Sequence, residues 1–218
     1  MFDVAQTIVI FGDSYSSPPS WVDHLKSDHL KDSPKIHNFA FPGATTEDDL
    51  EDQLIEYLSL PGKPRTSSPQ TTLYVFFFGI NDCGGNQECF LSEIVKKIPE
   101  ASDRLYTEAG ARNFIFFDVP PTDRSPAGLP YPETTHARIK TWNEELRTRI
   151  SQFTEDAPTA KVALFSVHDV LSAILDAPED YDFTEGDVTD EGGAIWADEL
   201  HLTSNVHKII AERTKDVF

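Results

Sequence analysis

A serine hydroxyl attacks a carbonyl only when a base takes its proton and a third group orients that base. Ser14 ends the run Ile-Val-Ile-Phe-Gly-Asp-Ser that begins at Ile8. Among seven histidines, His201 stands in a compact setting, Asp198-Glu199-Leu200-His201, just before an amphipathic stretch. A carboxylate three positions earlier can fold back in a turn and accept the Nδ1 proton, leaving Nε2 to face a serine. His168 with the adjacent Asp169 is a rival pair, and it reads equally well as the start of a helix after a strand. Carbonyl attack also needs donors for the developing oxyanion. Gly43, in the segment Asn38–Thr46, can present an unhindered backbone N–H, and Asn81, in Gly79-Ile80-Asn81-Asp82, offers a side-chain amide. Each has a plainer reading too: Gly43 as a turn before a helix, Asn81 as a turn residue or cap.

These residues need a frame. Apolar runs at Ile8–Phe11, Ile36–Ala40, Leu73–Phe78, Asn113–Asp118 and Val162–Phe165 predict five strands. Amphipathic stretches around Trp21–Lys31, Thr46–Ser59, Phe90–Ala109, Thr134–Phe153 and Thr203–Lys215 predict helices between and after them. Alternation of this kind implies a parallel sheet covered on both faces, so the expected architecture is an α/β three-layer sandwich. By analogy it is flavodoxin-like, with strand order 2-1-3-4-5. Ser14, Gly43 and Asn81 then all follow strands at the carboxyl edge of one sheet, where open α/β sheets place their ligands. No repeat or linker divides the chain, and residues 1–218 are expected to form one domain.

Three connections stand out. Leu60–Gln70 is rich in Pro, Ser and Gly and reads as a surface loop. Val119–Pro132 carries five prolines and follows the fourth strand. Asp176–Glu191 holds eight acidic residues in sixteen and reads as a solvated loop, or as a flap beside the site.

Composition narrows the function. The formal net charge of −19 argues against nucleic acid and against anionic membranes as partners, because phosphates are repelled. The longest apolar run, Leu73–Phe78, is far too short to span a bilayer. The N-terminus lacks a basic region followed by an apolar one, and there is no Asn-x-Ser/Thr sequon. A cytoplasmic location is expected, or a secreted one if a leader has been removed. Cys83 and Cys89 are either a tight-loop bridge or two free thiols, and no His/Cys cluster has zinc spacing. Neither a metal nor another cofactor is called for.

Taken in order, Gly12-Asp13-Ser14, Gly43, Gly79-x-Asn81-Asp82 and Asp198-x-x-His201 resemble the four motif blocks of the SGNH hydrolases, or GDSL esterases/lipases. The wording is most similar to fungal and plant esterases, including carbohydrate acetylesterases. The resemblance implies Ser14 as nucleophile, His201 as general base and then acid, and Asp198 as the orienting carboxylate. It also implies an oxyanion hole made by the Ser14 N–H, the Gly43 N–H and the Asn81 amide. Asp13 then braces the turn rather than reacting. Tyr15 stands where the family name has leucine, Leu202 where many members have proline, and Ala197 where related esterases carry tryptophan, with Trp196 one position earlier. The expected activity is hydrolysis of short-chain or acetyl esters through an acyl-enzyme, with small-molecule or carbohydrate esters as substrates. The acidity favours neutral esters, and no long apolar lid suggests a lipase. The alternatives are an acyltransferase with the same triad, and a non-catalytic binding protein on the same fold.

Overall fold

In a computed structural model that describes residues 5–29, 34–60, 68–215 and 217, five strands form one parallel sheet in the order β2-β1-β3-β4-β5. The strands are β1 (Thr7–Gly12), β2 (Lys35–Asn38), β3 (Thr72–Phe77), β4 (Asn113–Phe117) and β5 (Lys161–Phe165). Every residue of β1, β3 and β4 is buried, as expected of central strands covered on both faces. The edge strands β2 and β5 have no fully buried residue.

Side chains of a strand alternate between faces, and here each face carries its own aromatic set. On one side Phe11, Phe76 and Phe116 lie in ring contact, with Tyr74 and Phe114 behind them. Tyr57 from α2 (Leu50–Ser59) and Phe153 from α6 (Pro132–Asp156) meet them edge-on. On the other side Phe77, Phe117 and Phe165 form a row that receives Trp21 of α1 (Trp21–His24). The helices α3 (Ile80–Gly85), α4 (Glu88–Val95) and α5 (Lys97–Glu108) pack with α2 and α6, whereas α7 (Val167–Asp176) and α1 pack with α8 (Ser204–Thr214). The result is the three-layer α/β sandwich expected, in the strand order expected.

Several element boundaries differ from the sequence expectation, each for a local reason. Phe90–Ala109 is two helices, α4 and α5, meeting at Lys96. Pro99 has no N–H for the carbonyl of Val95 and its ring crowds that carbonyl, which favours the break seen there. The second helix starts at Leu50 rather than Thr46 because side chains claim the preceding backbone N–H groups. Thr45 donates to Asp49, Thr46 and Glu47 donate to Asp82, and Asp48 donates to the Thr45 hydroxyl. The stretch expected as a helix over Trp21–Lys31 is four α-helical residues followed by a π-helical turn, Leu25–His29; Lys31 lies outside the described residues. Residues 61–67 of the Leu60–Gln70 connection also lie outside them. α3 is not among the predicted elements, and α7 answers to the helix start that was the plainer reading of His168 and Asp169.

Candidate active site

Ser14 sits in the turn that ends β1. The backbone is closed there by hydrogen bonds from the Ser16 and Ser17 N–H groups to the Asp13 carbonyl. The Asp13 carboxylate accepts the Tyr15 N–H at 3.0 Å, bracing the turn from within. Beneath it, Gln53 of α2 clamps Gly12 with two amide hydrogen bonds, of 2.9 Å from the Gly12 N–H and 2.8 Å to the Gly12 carbonyl. The strand end that presents the serine is therefore held on both sides.

His201 and Asp198 arrive on a tight loop near α8. The loop is shut by an antiparallel bridge between Trp196 and Leu202 and by the Ala197 N–H donating to the His201 carbonyl at 2.7 Å. Inside it, Asp198 Oδ1 accepts the N–H groups of Leu200 and His201, at 2.8 and 2.7 Å. Asp198 Oδ2 lies 2.8 Å from His201 Nδ1, and His201 Nε2 lies 2.9 Å from Ser14 Oγ. A carboxylate only accepts, so Nδ1 carries the proton and Nε2 is free to accept from the serine hydroxyl. For Asp198, burial opposes ionisation. The two backbone N–H bonds and the His201 ring outweigh it, holding the carboxyl below its ordinary range and hence ionised. The Tyr15 hydroxyl donates to the Leu200 carbonyl at 2.8 Å, joining the histidine loop to the serine turn.

Asn81 stands in the first turn of α3, directly after Gly79. Gly79 has φ of +115°, and a Cβ there would lie 2.3 Å from the Trp142 ring and 2.5 Å from Val119, so no other residue fits. Asn81 Nδ2 donates one proton to the Ala44 carbonyl at 2.9 Å, which fixes the amide and leaves its second N–H for another acceptor. Gly43, at φ +81° and exposed, immediately precedes Ala44. Among the described residues, nothing accepts a hydrogen bond from the Ser14 or Gly43 N–H. Asn38 completes the lacing by donating to the Ser16 carbonyl at 2.7 Å. The three loops after β1, β2 and β3 are thus tied to one another, with Ser14, Gly43 and Asn81 on them.

Sequence reasoning missed the group that does much of this tying. Asp82, buried behind Asn81, accepts the Thr46 N–H with both oxygens at 3.0 Å and the Glu47 N–H at 3.3 Å. Burial raises its pKa to about 6, in spite of these bonds. Its adjacency to Asn81 was visible, but its reach to residues 36 positions away was not. Asp13 is fully buried, and its Oδ2 has no hydrogen-bond partner. Burial drives its pKa to about 7, opposed by the Tyr15 N–H bond and reinforced by the nearby Asp82 charge.

The rival residues lie elsewhere. His168 opens α7, whose N-cap Ser166 accepts the Asp169 N–H, and its ring is 4.0 Å from Asp169. Its backbone N–H donates to the buried Asp118. His207 is buried in α8 against Tyr15, and burial lowers its pKa to about 4. Trp196, one position before Ala197, faces inward. It is fully buried, and its indole N–H donates to the Val188 carbonyl at 2.9 Å. The acidic stretch Asp176–Glu191 is pinned to the body in this way, and also by Asp187, which accepts the Ala194 N–H at 2.8 Å. Cys83 and Cys89 are free thiols, one buried and one exposed. Among the described residues, no group of three or more His, Cys, Asp or Glu side chains is arranged to hold a metal ion. Nor is any helix among them long and apolar enough to cross a membrane.

A parallel sheet that presents Ser, His and Asp in hydrogen-bonded sequence at its carboxyl edge, beside uncommitted N–H donors, has the layout of a hydrolase acting on carbonyl compounds. The profile of the GDSL-like lipase/acylhydrolase family matches residues 8–214, and the chain belongs to that family. It is a carboxylic ester hydrolase. An acetylesterase from Thermothelomyces thermophilus is 27% identical over 227 residues, covering 91% of this chain and 74% of that protein. Among solved structures, the lipase/acylhydrolase from Enterococcus faecalis superposes with a TM-score of 0.59 at 18% identity, covering 97% of this chain and 96% of that one. The acetyl xylan esterase AlAXEase gives 0.64 at 14% identity, covering 97% and 98%. At these identities the two structures speak for the fold.

Proposed function

We propose that the chain is a serine esterase that hydrolyses short-chain or acetyl esters, carbohydrate esters among them, through an acyl-enzyme. The observation that carries this reading is the unbroken relay Ser14–His201–Asp198, with contacts of 2.9 and 2.8 Å. Ser14 Oγ bonds to the ester carbonyl carbon while His201 Nε2 takes its proton, and the carbonyl π electrons move onto oxygen. The Ser14 and Gly43 N–H groups and the free Asn81 N–H receive that oxyanion. Collapse breaks the bond to the alcohol oxygen, which leaves with the proton from His201. Water then repeats the sequence on the acyl-serine, releasing the acid and restoring Ser14. Asp198 stays ionised throughout and steadies the imidazolium.

Acetyl specificity is supported by the name of the Thermothelomyces relative and by that of the acetyl xylan esterase with the same fold. Small polar residues in the cleft beside Asn81, such as Thr134 and Thr135, suit a hydroxylated alcohol portion. The test is Ser14→Ala on 4-nitrophenyl acetate and on acetylated sugars. Activity should fall by at least roughly 10⁴-fold with the melting temperature unchanged. Trapping the native protein with substrate should give an acyl adduct on Ser14 by mass spectrometry. Full retained activity in the alanine variant would overturn the assignment.

A further inference from the structure

A cavity of about 550 Å³ opens from Asn81 and Leu200 towards the start of α6. The chain has 37 acidic residues, yet none lines this cavity among the described residues; its one charged side chain is Arg138. Arg138 Nη1 donates to the carbonyls of Cys83 and Gly84, at 3.2 and 3.4 Å, in the last turn of the helix that carries Asn81. No carboxylate pairs with Arg138 among the described residues, so Nε and the second terminal nitrogen keep their N–H groups uncommitted. Thr134 and Thr135 line the same cavity four and three positions earlier on α6, a spacing that sets all three on one helix face. Tyr131, at the head of that helix, completes the rim.

We propose that Arg138 is a specificity residue, and that the cavity takes esters carrying a carboxylate, which the guanidinium binds beside the site. A planar guanidinium held by two carbonyls is pre-oriented for paired N–H···O contacts with a carboxylate. In a chain of net charge −19, a guanidinium with no acidic residue beside it in the cavity is a contact that a carboxylate can use. Net acidity alone points to neutral esters; the distribution of charge reverses that expectation locally.

The proposal rests on the reading of Ser14 as nucleophile, and two readouts separate their failures. In a Ser14→Ala background, calorimetry compares 4-acetoxybenzoate with the neutral 4-acetoxybenzamide, and glutarate monoesters with their amides. One carboxylate ligand should bind roughly ten-fold more tightly than its amide, and Arg138→Gln should remove the difference. In the otherwise native protein, Arg138→Gln should raise KM for that carboxylate ester by a similar factor relative to KM for its neutral amide, and Arg138→Lys should restore part of the loss. Equal binding of acid and amide in both pairs, or a preference that survives Arg138→Gln, overturns the proposal. Hydrolysis that persists in Ser14→Ala overturns the nucleophile assignment and leaves the binding comparison standing.

Discussion

Replacing Asp13 by Asn should change how stability depends on pH, by an amount that follows from the site. Asp13 is fully buried, Oδ1 accepts the Tyr15 N–H, and Oδ2 has no partner. Burial lifts its pKa from an ordinary 3.8 to about 7. The folded state therefore holds a proton that the unfolded state releases near pH 4. The stability this contributes is complete below about pH 4, is lost progressively as pH rises, and is exhausted above about pH 7. Between pH 5 and pH 8 the loss from this one group is on the order of 2 to 3 kcal/mol. Asn keeps the acceptor for Tyr15 and carries no charge at any pH. Any cost of its new amide N–H is independent of pH and cancels when the two pH values are subtracted. Asp82, with a pKa of about 6, titrates in both proteins and cancels in the same way to first order. Urea unfolding of both proteins at pH 5 and pH 8 is the assay. The native protein should lose about 2 to 3 kcal/mol more than Asp13→Asn over that interval. Parallel pH curves would refute the account of Asp13 as a proton-holding group.

Three further outcomes are expected. Asn81→Ala should lower kcat roughly 100- to 1000-fold with KM nearly constant if its free N–H receives the oxyanion as proposed; a change confined to KM in steady-state kinetics would count against it. Tyr15→Phe leaves the Leu200 carbonyl without its 2.8 Å donor, and should cost about 1 kcal/mol in denaturant unfolding together with a fall in kcat as His201 loosens. An unchanged kcat would show that the histidine loop holds itself. Gly79→Ala forces a Cβ to 2.3 Å from Trp142 at a φ of +115°, and should destabilise by of the order of 4 kcal/mol, read as a lowered urea midpoint.

Much of this arrangement was visible in the residues themselves. The strands β1, β3 and β4 are unbroken apolar runs because both faces are covered, and burial of that kind writes itself directly into composition. Gly-Asp-Ser after the first run and Asp-x-x-His before the last helix could be read for the same reason: each is a local turn whose chemistry lies within a few residues. α3 escaped notice because it is only six residues long, and Asn81-Asp82 at its start has the composition of a turn. The break at Lys96 was legible in Pro99 but was overridden by the amphipathic pattern around it. Asp82 holding Thr46, Tyr15 holding Leu200, and Arg138 facing a cavity free of acids are relations between distant segments. Period and spacing along one segment carry no trace of them. Trp196 illustrates the limit: its place one position before Ala197 says nothing of where its side chain goes, and that side chain turns inward to anchor the acidic loop.

The hydrogen bond between Ser14 and His201 spans 187 positions of the chain. During synthesis at roughly 5–20 residues per second, the serine leaves the ribosome some 10 to 40 s before the histidine does. Throughout that interval the hydroxyl lacks the imidazole that the proposed mechanism requires as its base. β1 meanwhile has to wait for β2 and β3 before its flanks are covered. On the proposed mechanism, turnover therefore requires the segment before the last helix to be in place, so activity doubles as a readout of finished folding.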